Sequence, residues 1–262
     1  MTGGPESGIS GIDAARVEEA GLNALQTQRQ LFYDGWLLRL SPGKAKRARS
    51  VNPHFGSTLP IDAKIGHCEA LYARHGLPAL FRITPFVRPP DLEPALAALG
   101  YDAFDETLVM ATPLSPAPAV PRRVAGITLG PVDADAFVDI VGDLRGSPAA
   151  QRQAHRERLA NSLLTNRMLV LRSGGKIACA AQIVIDGGVA GLYDVMTAED
   201  ARGRGYATRA CASLLAWAAQ QGARVAHLQV DANNEPALAA YRKFGFATLY
   251  TYHYCARPGE WR

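Results

Sequence analysis

The stretch Arg202-Gly203-Arg204-Gly205-Tyr206-Ala207-Thr208 decides the fold of this chain. It lies between a strand-like segment that ends at Met196 and a segment whose apolar residues keep helical spacing as far as Gln221. Glycines in such a strand–loop–helix connection let the backbone approach a ligand closely, and the N–H groups at a helix N-terminus attract a phosphate. The stretch therefore predicts a phosphate-binding loop. The alternative is a tight, basic connection without a ligand.

The segments on both sides of this loop alternate between strand and helix patterns. Before the loop we predict a strand at 126–129, helices at 132–144 and 148–164, and strands at 168–171, 177–185 and 189–196. After the loop we predict a helix at 206–221, a strand at 224–230, a helix that Asn234 caps and Gly245 ends, and a strand at 246–255. This order predicts an α/β fold with a mixed central sheet and helices on both faces.

A second motif follows the loop: Asn234-x-x-Ala237-x-x-x-Tyr241-x-x-x-Gly245-Phe246. Together with the Arg-x-x-Gly-x-Ala pattern at 202–207, it resembles the signatures of the GNAT superfamily of acetyl-coenzyme A-dependent N-acetyltransferases. The resemblance covers residues 125–255 and includes the order of the elements. It implies the GNAT acyl-CoA N-acyltransferase fold, with a mixed, mostly antiparallel central sheet. Rossmann and Walker patterns do not match, because the final Gly of the first and the Gly-Lys-Ser/Thr of the second are missing.

The resemblance implies a role for each matching residue. The pyrophosphate of acetyl-coenzyme A is expected on Arg202, Gly203, Arg204, Gly205, Tyr206, Ala207 and Thr208. Asn234 is expected to contact the pantetheine arm and Tyr241 to lie near the thioester sulfur. A phenol, whose ordinary pKa is about 10, is a suitable proton donor to the departing thiolate. The alternatives are a plain helix cap for Asn234 and a core aromatic for Tyr241.

The strand before the loop departs from the family's pattern. In the family this strand usually bulges, and its backbone N–H groups meet the pantetheine arm and the acetyl carbonyl, often with Val and then Pro before the loop. Here Thr197 stands where Val is common, and Glu199 stands where Pro is common. Backbone contacts tolerate such changes, so Met196 and Thr197 are predicted to contact the cofactor.

The acceptor's ammonium must lose a proton before its nitrogen can attack the thioester. Asp194 is predicted to be the catalytic base, because carboxylates on this strand serve as the base in some relatives. Strand alternation predicts that Asp194 faces the same side as Leu192 and Met196. The alternatives are that Asp194 is a structural partner for an Arg, and that Glu199 or a chain of water removes the proton. The six histidines show no ligand spacing and are not assigned.

The first half of the chain carries weaker signals. We predict strands at 36–40, 79–83 and 106–111 and helices at 61–74 and 91–99. Glu93-Pro94-Ala95-Leu96-Ala97-Ala98 echoes Glu235-Pro236-Ala237-Leu238-Ala239-Ala240, which predicts an internal duplication. Leu99 stands where the second copy has Tyr241, and only one Gly, Gly56, lies directly before the long helix at 61–74. The first half is therefore predicted to be a degenerate GNAT-like copy that holds no cofactor and shapes the acceptor side.

Prolines 113, 116, 118 and 121 predict a linker at 113–121. The predicted domains are a flexible N-terminus at 1–19, the degenerate GNAT-like domain at 20–112 and the acetyltransferase domain at 122–262. The strands predicted after the linker are one fewer than the seven usual in this fold. The last strand is therefore either missing or supplied by the first half.

Composition narrows the function classes. The chain has 262 residues, 48% of them hydrophobic, and a net charge of +4. Its basic residues are scattered along the sequence, except for the cluster Lys44, Lys46, Arg47 and Arg49. Because a nucleic-acid surface needs clustered basic residues, no nucleic-acid partner is expected. The four cysteines show no CxxC spacing, which predicts no metal site and a reducing, cytoplasmic location. No secretory h-region and no run of about 18 apolar residues occur, so no membrane association is expected.

The predicted function is that of an enzyme, an N-acetyltransferase. It is expected to move an acetyl group from acetyl-coenzyme A to a primary amine by direct attack in a ternary complex. The acceptor is predicted to be a small molecule or a peptide, and a homodimer is left open. One alternative is a non-catalytic module that senses coenzyme A or an acyl form of it. Another is the transfer of a longer acyl chain.

Overall fold

The computed structural model describes Ile9 and residues 11–260. The helices are α1 (Ala14–Asn23), α2 (Ile61–Arg74), α3 (Leu92–Ala98), α4 (Ala134–Arg145), α5 (Ala149–Ala160), α6 (Tyr206–Gln220) and α7 (Glu235–Arg242). The strands are β1 (Gln30–Tyr33), β2 (Trp36–Arg39), β3 (Val51–Pro53), β4 (Phe81–Ile83), β5 (Asp102–Pro113), β6 (Ile127–Pro131), β7 (Thr165–Ser173), β8 (Lys176–Asp186), β9 (Val189–Thr197), β10 (Val225–Asp231) and β11 (Ala247–Ala256). None of the helices in these residues is long and apolar enough to cross a bilayer.

The chain divides into two compact units that are discontinuous in sequence. Unit 1 comprises the described residues up to Ala24 and Val109–Leu249, and unit 2 comprises Leu25–Leu108 and the described residues from Tyr250 onward. The long strands β5 and β11 each contribute one part to each unit. The units therefore do not follow the boundaries at 20, 113 and 122 that the sequence predicts.

The sheet of unit 1 follows the strand order β11-β5-β10-β9-β8-β7-β6, in which β11 and β5 contribute residues 247–249 and 109–113. Strands β6 to β9 are antiparallel neighbours, whereas β9 and β10 are parallel. The mixed, mostly antiparallel sheet of the prediction is therefore confirmed. The seventh strand comes from β5, which lies before the predicted linker in sequence.

Helices cover both faces of this sheet. Ala180 of β8 packs in a buried cluster with Phe137 of α4 and Leu159 of α5. The preceding residue, Cys179, points to the opposite face because side chains alternate along a strand. There burial raises the pKa of the Cys211 thiol on α6, and nearby Cys179 adds to this effect. Helices α4 and α5 therefore cover one face, and α6 covers the other.

Helix α1 begins inside the segment 1–19 that the sequence predicts to be flexible. The Asp13 carboxylate caps it by accepting hydrogen bonds from the N–H groups of Ala15 and Arg16. Arg16 forms an ion pair of 2.8 Å with Asp186 at the end of β8, and the Asn23 amide donates to the same carboxylate at 2.8 Å. These contacts hold α1 in unit 1 from Ala14 onward. Residues 1–8 and 10 of the predicted flexible segment lie outside the described residues.

Unit 2 has a hydrophobic core of its own. Its strand order is β1-β2-β3-β4-β11-β5, in which β11 and β5 contribute residues 250–256 and 102–108. The core includes Trp36, Phe81 and Tyr72, which are fully buried beside residues of α2 and α3. The helix predicted at 61–74 coincides with α2, whereas the short strands β1 and β3 are absent from the prediction.

Candidate active site

The loop before α6 is a turn that contains two glycines with positive φ. Gly203 and Gly205 both have φ of 75°, in the left-handed region that favours glycine. Gly205 is the N-cap of α6, so no side chain caps this helix, and the N–H groups of residues 203–208 donate no hydrogen bond to the described residues. Arg202 and Arg204 are exposed on the same loop. The loop thus combines free N–H groups, the positive end of a helix dipole and two exposed guanidinium groups.

Tyr206 anchors this helix end. Its hydroxyl donates a hydrogen bond of 3.0 Å to Oγ of Ser173 at the end of β7, and this bond, together with Arg204, lowers the pKa of the phenol. The Tyr206 side chain is therefore engaged within the fold. Its backbone N–H, like those of Ala207 and Thr208, has no partner among the described residues.

Strand β9 bulges before the loop. Tyr193 faces Gln182 and Met196 faces Ala180 on β8, so two residues of β9 oppose one residue of β8. Asp194, in this bulge, has a φ of 49°. Only three pairs, Val189–Val225, Ala190–Ala226 and Gly191–His227, join β9 to β10 within the described chain. Past Gly191 this edge of β9 has no pairing with β10, which leaves backbone groups available to a ligand.

The bulge changes which way the side chains point. Leu192 faces Ile183, whereas Met196 faces Ala180, and residues three apart on a strand lie on opposite faces. Met196 packs against the α4–α5 cluster, and Thr197 faces Cys179 on the α6 side. The prediction that Leu192 and Met196 face the same side is therefore wrong, because simple alternation does not hold across a bulge.

Asp194 is held by cations of α4 and α5. Its carboxylate accepts hydrogen bonds from Arg145 at 2.7 Å and from Arg158 at 3.3 Å, and it lies 3.4 Å from Nε2 of His155. Burial by itself would raise the pKa of Asp194, but the neighbouring cations, Arg158 foremost, hold it well below its usual range. Burial lowers the pKa of His155 to about 4, so this imidazole is neutral at pH 7. This geometry favours the structural alternative for Asp194 over a free base.

Replacing Asp194 by Asn should lower the free energy of unfolding by about 3 kcal/mol, because loss of one partner leaves buried guanidinium charge uncompensated. Urea unfolding at pH 7 measures this. A carboxylate with a depressed pKa stabilises the fold above its unfolded pKa of about 4, so the difference should shrink as the pH falls through the lowered value. Asp143→Asn is the control, since the Asp143–Arg152 pair is 2.7 Å long but the Asp143 side chain is 75% exposed. Unchanged stability with lost turnover would instead make Asp194 a catalytic base.

Tyr241 lies on α7 with its ring half-buried. The ring makes an edge contact with Phe246 at 6.1 Å between centroids, and the hydroxyl forms no hydrogen bond with the described residues. Burial raises the pKa of Tyr241, and the thiols of Cys211 and Cys179 add to this effect. Cys179 is the cross-strand neighbour of Thr197, so one of the two thiols that act on the phenol belongs to the strand next to β9. A neutral, unengaged hydroxyl can donate a proton.

Asn234 caps α7. Its Oδ1 accepts a hydrogen bond of 3.3 Å from the N–H of Ala237. The residue is exposed, and no hydrogen bond of its Nδ2 is found among the described residues. Capping therefore uses only the carbonyl side of the amide, which leaves the NH₂ group free for a ligand.

One known protein family matches almost the whole length of the chain. The family model described as "Probable histone acetyltransferase Rv0428c C-terminal" matches residues 12–255. The chain therefore belongs to this family, and it is a GNAT N-acetyltransferase.

Individual relatives share most of the chain's length. The chain is 24% identical over 251 residues to the "Uncharacterized N-acetyltransferase YobR" of Bacillus subtilis, covering 92% of this chain and 98% of that protein. A GCN5-related N-acetyltransferase from Kribbella flavida has a similar structure, with a TM-score of 0.66, 19% identity and coverage of 94% of this chain and 96% of that one. A tandem GNAT protein from the clavulanic acid biosynthesis pathway has a TM-score of 0.61 at 16% identity, covering 74% of this chain and 68% of that one. These structures show the fold.

Sequence reasoning missed the partners of Asp194. His155 and Arg158 lie three residues apart on α5, a spacing that places both on one face of the helix, and Arg145 ends α4. This spacing was the only sequence signal of a shared partner for the two side chains. It does not identify Asp194 as that partner, because α4, α5 and β9 come together only in the folded unit.

Proposed function

We propose that this enzyme transfers an acetyl group from acetyl-coenzyme A to a primary amine by direct attack in a ternary complex. The observation that carries the proposal is the start of α6, where the N–H groups of residues 203–208 donate no hydrogen bond to the described residues and exposed Arg202 and Arg204 stand beside them. A pyrophosphate fits this donor set, because N–H groups at a helix N-terminus bind phosphates. A Cβ built on Gly203 or Gly205 meets no atom within 4 Å, so the loop opens onto free space.

The separation of β9 from β10 supports a binding site for the pantetheine arm and the thioester of acetyl-coenzyme A. The edge of β9 past Gly191 can accept the amide groups of a pantetheine arm as a strand would. Met196 and Thr197 lie at the end of this edge, and the free NH₂ group of Asn234 can add a side-chain contact. The thioester then reaches the region of Tyr241, whose phenol donates its proton to the departing thiolate.

The proton on the acceptor's ammonium needs another route. Asp194 is bound by two guanidinium groups, so we do not assign it as the base. Exposed Glu199, in the turn before the loop, and a chain of water remain the alternatives. The four cysteines are free thiols, which suits the predicted cytoplasmic location.

Incubation with labelled acetyl-coenzyme A and a panel of amines tests the reaction. The panel holds small primary amines, peptides with free N-termini and lysine peptides, which are included because the family description names a histone acetyltransferase. Mass spectrometry should detect one added acetyl group on at least one amine class. Binding of coenzyme A without transfer to any amine would favour the alternative of a non-catalytic sensor. Preference for a longer acyl-coenzyme A would favour the alternative of transferring a longer acyl chain.

We expect coenzyme A to saturate at one site per chain, in unit 1. The segment before α2, the long helix of unit 2, already holds an anion: the Asp34 carboxylate accepts hydrogen bonds from the N–H groups of Thr58 and Leu59, each at 3.0 Å. These bonds, that of Leu59 foremost, lower the pKa of Asp34, and buried Lys64 lies 3.2 Å from the same carboxylate. Isothermal titration calorimetry measures the stoichiometry. Two saturable sites would contradict the proposal that the first half is a degenerate copy.

A further inference from the structure

Three metal-ligating side chains converge in unit 2, outside the acetyltransferase site. One ligand atom each from Glu93, His253 and Cys255 lies within 4.8 Å of the other two. His253 and Cys255 are two residues apart on β11, so both side chains point to the same face of the strand. Glu93 belongs to the first turn of α3, and its Oε1 is 2.8 Å from Nε2 of His253.

The electrostatic surroundings of this triad suit a cation. Burial raises the pKa of the Cys255 thiol to about 12, and the nearby carboxylates of Glu93 and Asp102 contribute to the same shift. Asp102 is exposed at the start of β5. Two carboxylates, an imidazole and a thiol thus share one corner of unit 2.

The three side chains differ in their exposure to solvent. Cys255 is 3% exposed, whereas the side chains of His253 and Glu93 are 27% and 47% exposed. An ion can therefore reach the carboxylate and imidazole from solvent and meet the thiol at the base of the site. A hydrogen-bonded His–Glu pair beside an uninvolved thiol is the simpler alternative.

We propose that Glu93, His253 and Cys255 form a binding site for a divalent transition metal of the Zn²⁺ class. One sulfur, one nitrogen and one oxygen donor suit an ion of borderline softness, and water can complete a tetrahedron. Binding transfers the thiol proton to solvent and forms a metal–thiolate bond without any change of oxidation state. The ion would connect α3 to β11. This site is independent of the proposed acetyl transfer.

Cysteine spacing could not have revealed this site. Spacing rules detect ligands that are close in sequence, as in CxxC pairs. Here Glu93 is 160 residues before His253, and only the fold of unit 2 brings them together.

Titration of the full-length, chelator-treated protein with Co²⁺ tests the proposal, because a cobalt–thiolate bond gives a near-ultraviolet charge-transfer band and tetrahedral Co²⁺ absorbs in the visible range. We expect one Co²⁺ per chain, binding that tightens as the pH rises, and displacement by Zn²⁺. Cys255→Ser should abolish the charge-transfer band. His253→Ala, at a partly exposed position, should weaken Co²⁺ binding by at least about tenfold, the lower end of the cost of losing even an outer-shell partner.

Cys68→Ala is the matched control, since Cys68 is another buried thiol of unit 2 and is not among the three ligands. It should keep the band. Circular dichroism of each variant checks that it is folded. Absence of the band in the wild-type protein, or its persistence in Cys255→Ser, would overturn the proposal, as would an unchanged Co²⁺ affinity in His253→Ala.

Discussion

Tyr241→Phe should slow acetyl transfer by roughly 10²–10⁴-fold, the range typical of a lost general acid, and leave the affinity for coenzyme A unchanged. Only the hydroxyl is removed, and it makes no hydrogen bond with the described residues, so the fold should not respond. Because burial raises the pKa of Tyr241, the phenol stays protonated at neutral pH and remains a proton donor. Single-turnover kinetics with an established acceptor measures the chemical step, and calorimetry measures binding.

Tyr101→Phe provides the control for Tyr241→Phe. Tyr101 belongs to unit 2, whereas the proposed site belongs to unit 1, and its hydroxyl donates to Glu69 at 2.8 Å. This variant should transfer acetyl at the wild-type rate. If Tyr241→Phe also did so, Tyr241 would be a packing residue and water would protonate the thiolate.

Gly205→Val should weaken coenzyme A binding by about a hundredfold or more. A β-branched residue strains a φ of 75°, and its side chain would extend into the open space in front of the loop. Loss of two hydrogen bonds to a charged phosphate costs about 3 kcal/mol or more. Isothermal titration calorimetry measures the affinity of the variant.

Gly222→Val is the control that separates the loss of coenzyme A binding from the effect of backbone strain. Gly222 follows the other end of α6, has a φ of 91° and also faces open space, so the same substitution imposes similar strain about 20 Å away. Both variants should lose similar stability in thermal unfolding, but only Gly205→Val should lose affinity. If the two variants bound coenzyme A with equal affinity, the loop would not be part of the cofactor site.

The sequence predicted most of unit 1 because each of its elements carries a local signal. The helix from Tyr206 is amphipathic and follows paired glycines, and the Gly174-Gly175 and Gly187-Gly188 turns separate β7, β8 and β9. Helix α1 was missed although Asp13 is a good cap, since the Gly- and Ser-rich residues before it suggested a flexible segment. Short β1 and β3 have too few residues to establish a period.

The parts of the candidate site that depend on residues close in sequence could be predicted. These are the glycine loop before α6 and the cap that Asn234 forms on α7, and the sequence pattern was sufficient to predict both. The environment of Asp194 depends on a bulge and on two helices that precede it by many residues, and no pattern in β9 encodes them. The duplication stays a prediction, supported by Gly100 and Gly245, which have φ of 81° and 80° between helix and strand in the two echoing segments.

The division of β5 and β11 between the units bears on how the chain acquires its fold during synthesis. Unit 2 lacks a central strand until residues 250–256 have been made, and unit 1 combines α1 with strands made more than 100 residues later. Neither unit can complete its sheet before its part of β11, at residues 247–256, has left the ribosome. Folding is then dominated by contacts between distant segments, which are slow to form, and a fragment that begins at residue 122 would lack both α1 and β5.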